Sequence, residues 1–445
     1  MFERNLMKSL RIWRKKANRL PLILRGVRQC GKTTLVCEFG NEYENFIYLN
    51  LENTDDRKLI SSSFQETLMA IEFKSGIKIK SEETMLFFDE IQACPQAVAH
   101  LRFFAEEIPQ LSVICAGSLL EIRMSDNSIS FPTGRVEYLF LTPFSFSEYL
   151  IATNKKHYAE LISNTPTTIP DTIHNLIMEE YHNYLLIGGM PSAIKAYTTT
   201  ENILDTRNVH TNLYQSIIDD VGKYLNKSEF KYIEAVLDGV PYLTGTRITF
   251  ENFNNSGFKS REIKNALTIL GKAFLVFLSY PTTSIALPLT ANTRKAPKVF
   301  LFDIGIMNSR FRAPLHFDIT KTDCGIRGAI SEQFVFQELL SSSHIIPDIP
   351  VFWTRETSNS NAEVDFCIAH DDLMIPIEVK SGAKGKLRSL GIFSLLSNQK
   401  QCVRLHNAPP SVQQNVATGS GDLFTLINLP LYYAGNIHDA IIKFI

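Results

Sequence analysis

Short apolar runs alternate with helical periodicity along the first third of the chain. Five runs have the length of buried strands, namely Pro21–Leu24, Phe46–Leu51, Met85–Phe88, Leu111–Ala116 and Val136–Leu141. Helical patterns fill the intervals, for example at residues 97–107. Because apolar strands that alternate with helices are typical of a parallel sheet covered on both faces, the pattern predicts an α/β fold here.

The middle of the chain has a mainly helical pattern. A stretch rich in Ser, Thr and Pro at residues 163–172 precedes it, and Gly188-Gly189 interrupts it. Near its end, two helices and a strand pair outline a winged helix. Their predicted ranges are Ile248–Phe253, Ser260–Ala273, Phe274–Tyr280 and Lys298–Phe302.

The last part of the chain mixes helix and strand again. A boundary near residues 314–328 precedes it. The pattern predicts a helix at residues 329–340, and then strands at residues 351–355, 363–369 and 373–380. This order indicates a second α/β domain.

Composition excludes several classes of protein. The 445 residues include 45 Lys and Arg against 46 Asp and Glu, so binding to nucleic acid would need a local basic patch. The seven cysteines form no C-x-x-C pair, which predicts reduced thiols rather than disulfides or a zinc site. No apolar run approaches the ~20 residues of a membrane-spanning helix. We therefore expect a cytoplasmic protein without membrane contact.

A glycine-rich segment follows the first predicted strand. Residues 26–33 fit the pattern G-x-x-x-x-G-K-[ST] between a strand and a helix. Its glycines let backbone N–H groups surround a phosphate, and the next helix directs its positive end at the same anion. We expect Lys32 to contact the β- and γ-phosphates of ATP and Thr33 to bind Mg²⁺. The predicted nucleotide contacts are Gly26, Val27, Arg28, Gln29, Cys30, Gly31, Lys32, Thr33 and Thr34.

Two carboxylates end the third predicted strand. Asp89 and Glu90 follow four apolar residues, at the strand end where open α/β sheets bind ligands. We expect Asp89 to hold hydrated Mg²⁺ and Glu90 to polarise the water that attacks the γ-phosphate. Together with the glycine-rich segment, this pair predicts an ATPase.

Two further polar residues have alternative interpretations. Ser118 follows the fourth predicted strand, where it either orients the attacking water or caps the next helix. Arg135 precedes the fifth strand, where it either stabilises transition-state charge, in cis or from a neighbouring subunit, or forms an ordinary surface ion pair.

These segments resemble a family of prokaryotic AAA+ ATPases in which a C-terminal domain of unknown function follows the ATPase. The resemblance covers nearly the whole chain and rests on residues 24–35, 87–92, 116–118, 134–136, 141–149, 186–191 and 298–305. It implies a sheet in which the acidic strand lies between the second and fourth strands. It also implies that Ser118 is sensor 1 and that Arg135 is an arginine-finger candidate; it assigns no sensor 2 residue.

The C-terminal part of that family resembles restriction endonucleases of the PD-(D/E)xK pattern. Asp365, Glu378 and Lys380 match this pattern, with Val364 where proline is common. The resemblance implies that Glu332, Asp365 and Glu378 hold Mg²⁺ and that Lys380 acts on the water attacking a phosphodiester. A surface salt bridge, or a fold that binds without cleaving, remains an alternative.

The predicted architecture has four segments. A P-loop NTPase core of the AAA+ type occupies residues 1–160, and a helical lid or linker occupies residues 161–205. A helical and winged-helix region at residues 206–315 and a restriction-endonuclease-like α/β domain at residues 325–445 follow.

Three functions remain open at this stage. The first is an ATPase that uses Mg²⁺ and couples its nucleotide state to the C-terminal domains. The second is a metal-dependent DNA nuclease gated by ATP. The third is a non-catalytic switch that binds DNA or a protein when it is loaded with nucleotide. A homo-oligomer would supply Arg135 in trans.

Overall fold

A computed structural model describes residues 2–117, 132–223, 225–311, 324–345, 347–355, 362–382, 387–397, 399–418 and 421–444. The chain divides into two compact units. The first comprises residues 1–142, 272–274 and 343–347, and the second comprises residues 143–271, 275–342 and 348–445. In the described ranges, no helix combines the length and apolar character needed to cross a membrane.

The first unit contains a five-stranded parallel sheet. Its strands are β1 (Leu22–Gly26), β2 (Asn45–Asn50), β3 (Thr84–Asp89), β4 (Ser112–Ala116) and β5 (Glu137–Leu141). They lie in the order β2-β3-β4-β1-β5, and every neighbouring pair is parallel. The α/β prediction is therefore confirmed, and the acidic strand β3 does lie between the second and fourth strands.

Helices accompany this sheet, and they include Leu6–Arg14, Lys32–Gly40, Thr54–Arg57, Phe64–Ser75 and Pro95–Glu107, with a short 3₁₀ turn at Ile91–Ala93. Every residue of β3 is buried, which explains why its predicted strand is almost entirely apolar. Side chains from β1, β3 and β4, such as Ile23, Leu86 and Val113, form one buried cluster with helix Pro95–Glu107. This cluster fixes the strand ends that carry the polar residues discussed below.

The second unit begins with helices at Phe146–Ala152, Lys156–Ser163, Asp171–Ile187, Pro191–Thr200 and Ile203–Gly222. The predicted interruption at Gly188-Gly189 separates the third and fourth of these helices. Gly188 has a φ of 70°, and a Cβ atom there would lie 2.4 Å from Asp303 Oδ1. Asp303 accepts hydrogen bonds from the backbone N–H groups of Gly189 and Ile306, at 2.7 and 2.9 Å. Glycine is therefore required where this buried carboxylate approaches the chain.

The region predicted as a winged helix differs from the prediction in one helix. Helices Lys227–Leu243 and Ser260–Lys272 are present, and strands β6 (Val276–Ser279) and β8 (Lys298–Leu301) pair antiparallel. The predicted helix at Ile248–Phe253 is wrong, since only a 3₁₀ turn at Phe253–Asn255 forms there. Asn252, Asn254 and Asn255 have positive φ values of 51°, 49° and 60°, and asparagine readily adopts this turn conformation.

A seven-stranded mixed sheet ends the chain. The strands are β7 (Pro281–Thr282), β9 (Val351–Thr354), β10 (Glu363–His370), β11 (Leu373–Val379), β12 (Gln401–His406), β13 (Ser411–Ala417) and β14 (Leu423–Pro430). They lie in the order β13-β14-β12-β11-β10-β9-β7. Helices Ile304–Arg310, Cys324–Ser341, Arg388–Ser397 and Ile437–Phe444 and a 3₁₀ segment at Leu431–Asn436 complete the described elements.

Strands β9, β10 and β11 form an antiparallel meander, and β12 runs parallel to β11. The predicted second α/β region is therefore present. The meander places Asp365 of β10 and Glu378 of β11 on neighbouring strands.

Candidate functional site

The glycine-rich loop connects β1 to helix Lys32–Gly40. Gly26 has a φ of 142°, and a Cβ atom there would lie 2.2 Å from the backbone oxygen of Leu141. Gly31 has a φ of 99° and precedes the helix without capping its N–H groups through a side chain. Both positions require glycine, and the first turn of the helix keeps backbone donors for a ligand.

Lys32 is folded back onto the loop. Its Nζ donates hydrogen bonds to the backbone oxygens of Gly26 and Val27, at 2.9 and 2.8 Å. The side chain is buried, with a relative exposure of 8%. The ammonium group therefore lies inside the loop that the sequence predicts to surround phosphate.

The other predicted loop contacts have distinct surroundings. Cys30 is fully buried, and its Sγ contacts the backbone oxygen of Leu141 at 3.5 Å, so its side chain fills space between β1 and β5. Val27 is also buried, whereas Arg28, Gln29 and Thr34 are at least partly exposed. Gln29 has a φ of 61°, which marks a tight turn in the loop.

Thr33 and Asp89 meet at the end of the sheet. The Thr33 hydroxyl donates a hydrogen bond to Asp89 Oδ2 at 2.7 Å. The Tyr48 hydroxyl, from β2, reaches the same oxygen at 3.3 Å. Burial and the nearby Asp89 carboxylate raise the pKa of Tyr48 to about 12, so Tyr48 remains a hydrogen-bond donor at neutral pH. A hydroxyl and a carboxylate are the hard oxygen ligands that Mg²⁺ prefers.

Glu90 follows Asp89 in a left-handed conformation, with a φ of 49°. Burial raises its pKa, while a hydrogen bond from Gln92 and the charge of Lys32 oppose the rise. Gln92 Nε2 donates that hydrogen bond to Glu90 Oε2, and Gln92 is 2% exposed. A raised pKa in a buried carboxylate suits a group that accepts a proton from water.

Gln92 also reaches the end of β4. Its Oε1 is buried without a hydrogen-bond partner, and a Cβ atom at Gly117 would lie 2.1 Å from it. Ser118, the predicted sensor, is the next residue and lies outside the described residues.

Arg135 lies near the start of β5, at the end of the strands opposite to the glycine-rich loop. In the parallel pairing of β1 and β5, Gly26 is opposite Leu141 and Leu22 is opposite Glu137. Arg135 precedes Glu137, so at least ~13 Å of strand separates it from the glycine-rich loop at ~3.3 Å per residue. Its Nε instead donates to Glu106 Oε1 at 2.9 Å. Within one chain, this placement fits the surface ion pair.

Two of the carboxylates predicted for the C-terminal domain, Glu332 and Asp365, lie around a lysine. Lys298 Nζ lies 2.9 Å from Glu332 Oε2 and 3.4 Å from Asp365 Oδ1. It also lies 2.9 Å from Glu363 Oε1. Burial by itself lowers the pKa of Lys298, but the three carboxylates outweigh this effect and raise the pKa. Burial also raises the pKa of Glu332 to about 7, although Lys298 opposes the rise.

Glu378 and Lys380 form a neighbouring pair. They lie on one face of the sheet, as the strand period predicts, and Lys380 Nζ donates a hydrogen bond to Glu378 Oε1. Burial, followed by the Asp365 charge, raises the pKa of Glu378 to about 8. Glu378 Oε2 is buried without a hydrogen-bond partner. The second Asp365 oxygen accepts the backbone N–H of Val379 at 2.8 Å.

Two of the predicted magnesium ligands, Glu332 and Asp365, therefore lie around the ammonium group of Lys298, whereas the third, Glu378, pairs with Lys380. Among the residues that the structure describes, no group of three or more His, Cys, Asp or Glu side chains is arranged to hold a metal ion. With Lys298 in place, Glu332, Asp365 and Glu378 do not fit a divalent ion.

Sequence reasoning missed several residues of both sites. Tyr48 and Gln92 contact the acidic pair. Tyr48 lies outside the segments that carry the resemblance, and Gln92 ends one of them, at residues 87–92, but was assigned no role. Glu363 could have been found, because strand period places it on the same face as Asp365. Lys298 begins a predicted strand, but nothing in the sequence linked it to Asp365, which lies 67 positions later in the chain.

Comparison with protein families divides the chain into three matches. Residues 18–150 match a family model described as an AAA domain. Residues 178–315 match a domain of unknown function (DUF8612), and residues 327–432 match another domain of unknown function (DUF4143). No curated protein matches the chain.

Several solved structures resemble the fold loosely. The ORC1 protein of Aeropyrum pernix in complex with DNA is 13% identical, with 70% of this chain and 91% of that chain covered and a TM-score of 0.30. A STAND protein with a tetratricopeptide repeat sensor from Pyrococcus horikoshii is 14% identical, with 77% of this chain and 47% of that chain covered and a TM-score of 0.28. C. elegans PCH-2 is 16% identical, with 46% of this chain and 65% of that chain covered and a TM-score of 0.25. Similarity at these TM-scores assigns no substrate or partner of those proteins to this chain.

Proposed function

We propose that this chain is an ATP-binding AAA+ protein that hydrolyses ATP with Mg²⁺, because residues 18–150 match a family model described as an AAA domain. The observation that carries the proposal is the 2.7 Å hydrogen bond between Thr33 and Asp89 beside the glycine-rich loop. It brings the two predicted magnesium ligands, from different elements, to one point.

The chain's own residues divide the work of hydrolysis. Lys32 would exchange its contacts with Gly26 and Val27 for phosphate oxygens, because phosphate offers a charged acceptor in place of neutral carbonyls. Glu90 would accept the proton of the attacking water, for which its raised pKa suits it. Thr33 and Asp89 would hold Mg²⁺, which supplies charge neutralisation on the β- and γ-phosphates when bound.

The test of this proposal is ATP turnover by the full chain. In Lys32→Ala, phosphate release is expected to fall at least 100-fold, because the loop loses its only lysine. Lys58→Ala, which removes an exposed lysine paired with Asp55, is the matched control and should retain parental turnover. Parental turnover in Lys32→Ala would contradict the proposal.

We also propose that nucleotide state is passed to the later domains. Two further domains follow the AAA domain in the same chain, which supports an output region. Limited proteolysis with ADP and with a non-hydrolysable ATP analogue tests this coupling. Cleavage sites beyond residue 150 should change between the two nucleotides in the parent but not in Lys32→Ala; identical patterns would contradict the coupling.

DNA binding is a second candidate, favoured by one surface. A groove of about 580 Å³ between helices Lys227–Leu243 and Ser260–Lys272 is lined by Arg261, Lys264, Asn265 and Thr268. These side chain types contact phosphates and base edges in DNA. Glu229 and Glu262 also line it, so the charge of the groove is mixed.

Fluorescence anisotropy with labelled duplex DNA tests this candidate. Arg261→Ala with Lys264→Ala should weaken binding at least tenfold and reduce its salt dependence, since two phosphate contacts would be lost. Lys156→Ala with Lys195→Ala removes two exposed positive charges elsewhere and is the control. Equal weakening by both double variants would contradict binding in the groove.

The nuclease alternative depends on the C-terminal carboxylates. The unpartnered Glu378 Oε2 beside Lys380 favours it. Plasmid nicking with Mg²⁺ or Mn²⁺ that is lost in Asp365→Ala and retained in Lys32→Ala would support this alternative. Nicking that is unaffected by Asp365→Ala would exclude the site.

A further inference from the structure

Lys298 is held firmly within the second unit. It begins β8, where it pairs with Ser279 of β6, and its backbone bridges to Arg247 on the other side. Its side chain is only 3% exposed. The backbone contacts on both sides therefore direct a buried ammonium group towards the C-terminal sheet.

The ammonium group is matched by its surroundings. A lysine ammonium has three N–H donors. Three carboxylates, from Glu332, Glu363 and Asp365, lie 2.9, 2.9 and 3.4 Å from Nζ. Two of these carboxylates come from β10 and the third comes from helix Cys324–Ser341. The ammonium group of Lys298 thus forms ion pairs with both β10 and helix Cys324–Ser341.

The charges in this cluster leave room for a cation of higher charge. Three carboxylates face Lys298, and Arg247 pairs with Glu363 at 2.8 Å. One negative charge therefore remains when all three carboxylates are ionised and both cations are counted. A divalent ion in place of Lys298 would balance the cluster, whereas a divalent ion beside Lys298 would be repelled. To reach the Mg²⁺–oxygen distance of about 2.1 Å, the Glu332 and Glu363 oxygens would need to move inward by about 0.8 Å and the Asp365 oxygen by about 1.3 Å.

A second feature lies beside the cluster. Glu378 Oε2 is buried without a hydrogen-bond partner, and the Glu378 carboxylate interacts electrostatically with Asp365 and Glu332. A buried carboxylate oxygen without a donor is costly. It is available to a ligand that enters the cluster.

We propose that Lys298 is the resident cation of a carboxylate site formed by Glu332, Glu363 and Asp365, and that this site binds a divalent metal ion only when Lys298 is removed or displaced. The proposal does not depend on ATP hydrolysis at the first unit. It makes the metal-dependent alternative conditional on movement of β8, because the ammonium and the metal compete for the same oxygens.

The experiment measures Mn²⁺ binding to the full chain without nucleotide, by electron paramagnetic resonance of free Mn²⁺. The parent is expected to bind no Mn²⁺ through Asp365, so that the parent and Asp365→Asn give the same titration. Lys298→Met is expected to bind one additional Mn²⁺ per chain. The double variant Lys298→Met with Asp365→Asn should lose that ion, and Lys259→Met, an exposed lysine, should behave as the parent.

Thermal unfolding gives a second readout, because Lys298→Met leaves three carboxylates without their cation. Mn²⁺ is expected to raise the melting temperature of Lys298→Met by several degrees and to leave that of the parent unchanged. If Lys298→Met is unfolded without metal, Mn²⁺ should restore its folded circular dichroism signal.

Three results would overturn the proposal. The first is stoichiometric Mn²⁺ binding by the parent that Asp365→Asn abolishes. The second is a folded Lys298→Met that binds no additional Mn²⁺. The third is an unfolded Lys298→Met whose folding is indifferent to Mn²⁺.

Discussion

Asp89 connects three elements through its carboxylate. It accepts the hydroxyl of Thr33 from the loop helix and that of Tyr48 from β2, and its Oδ1 accepts the backbone N–H of Glu90. Each hydrogen bond to a carboxylate is worth more than a neutral one. The acidic pair is therefore oriented by the protein before any ligand arrives.

Gln92 is expected to position Glu90 rather than to touch the nucleotide. In Gln92→Ala, Glu90 loses a hydrogen bond that lowers its pKa, so the acid limb of the pH–rate profile should move to higher pH. We expect kcat to fall about tenfold, or ~1.4 kcal/mol, with KM for ATP near the parental value. Gln96→Ala, on helix Pro95–Glu107, is the control, and an unshifted acid limb in Gln92→Ala would contradict this role.

The residues that sequence reasoning found and missed differ in kind. Lys32 and Thr33 begin the helix that follows β1, and Asp89 and Glu90 lie at the end of β3. Their grouping could therefore be predicted from strand order. Lys298 instead meets its partners through tertiary packing, which periodicity does not encode. The prediction for the C-terminal site consequently included Glu332 and Asp365 but neither Glu363 nor the lysine that these carboxylates face.

Local capping shapes the elements of the second unit. Ser145 accepts the backbone N–H of Glu148, and the Glu148 carboxylate accepts the backbone N–H of Ser145, which forms a capping box for helix Phe146–Ala152. Both residues are buried, so water cannot replace these hydrogen bonds. The pattern S-x-x-E is visible in the sequence and predicts this helix start.

Ser145→Ala is expected to destabilise the protein by about 1 kcal/mol, because a helix N–H loses its acceptor. Urea unfolding followed by circular dichroism measures this change. Ser163→Ala removes an exposed serine hydroxyl at the end of a helix and should change stability by less than ~0.5 kcal/mol. Equal losses in the two variants would contradict the capping argument.

The prediction of helices and strands succeeded for the apolar strands of the parallel sheet. It failed at one segment where asparagine residues favour a turn. The five parallel strands are near-continuous apolar runs, and each was located within two residues of its observed start. The helix predicted at residues 248–253 does not form, because the asparagines around this segment favour a turn.

Several buried carboxylates of the second unit couple its stability to pH. Burial raises the pKa of Glu332 to about 7, and of Glu338 and Glu378 to about 8. Unfolded, these groups would be ionised at neutral pH. Between pH 6.5 and 8.5 the folded chain therefore holds more protons than the unfolded chain.

Stability should consequently fall as the pH rises through this window, since the stabilising protons are lost as the pH passes the folded-state pKa values. Urea midpoints at pH 6.5, 7.5 and 8.5 measure the effect. Glu338→Gln, which keeps an acceptor for the backbone N–H of Phe146, should reduce the slope. Glu107→Gln, which replaces an exposed carboxylate, should leave the slope of stability against pH unchanged. Stability that rises across this window would contradict the assignment.

At the scale of the whole chain, the sequence predicted an ATPase sheet followed by further domains. The AAA match at residues 18–150 agrees with the first part of that prediction. Two pairings of the seven-stranded sheet could not be predicted, because they join strands that do not follow each other in the chain: β12 pairs with β14, and β7 pairs with β9.

The central claim is that the glycine-rich loop and the acidic pair form one ATP-hydrolysing site. Glu90→Gln tests it most directly, because the substitution keeps the shape and removes only the proton acceptor. Measured side by side, Glu90→Gln is predicted to bind MgATP with an affinity within about threefold of the parent while phosphate release falls at least 100-fold. Phosphate release by Glu90→Gln at the parental rate would contradict the claim.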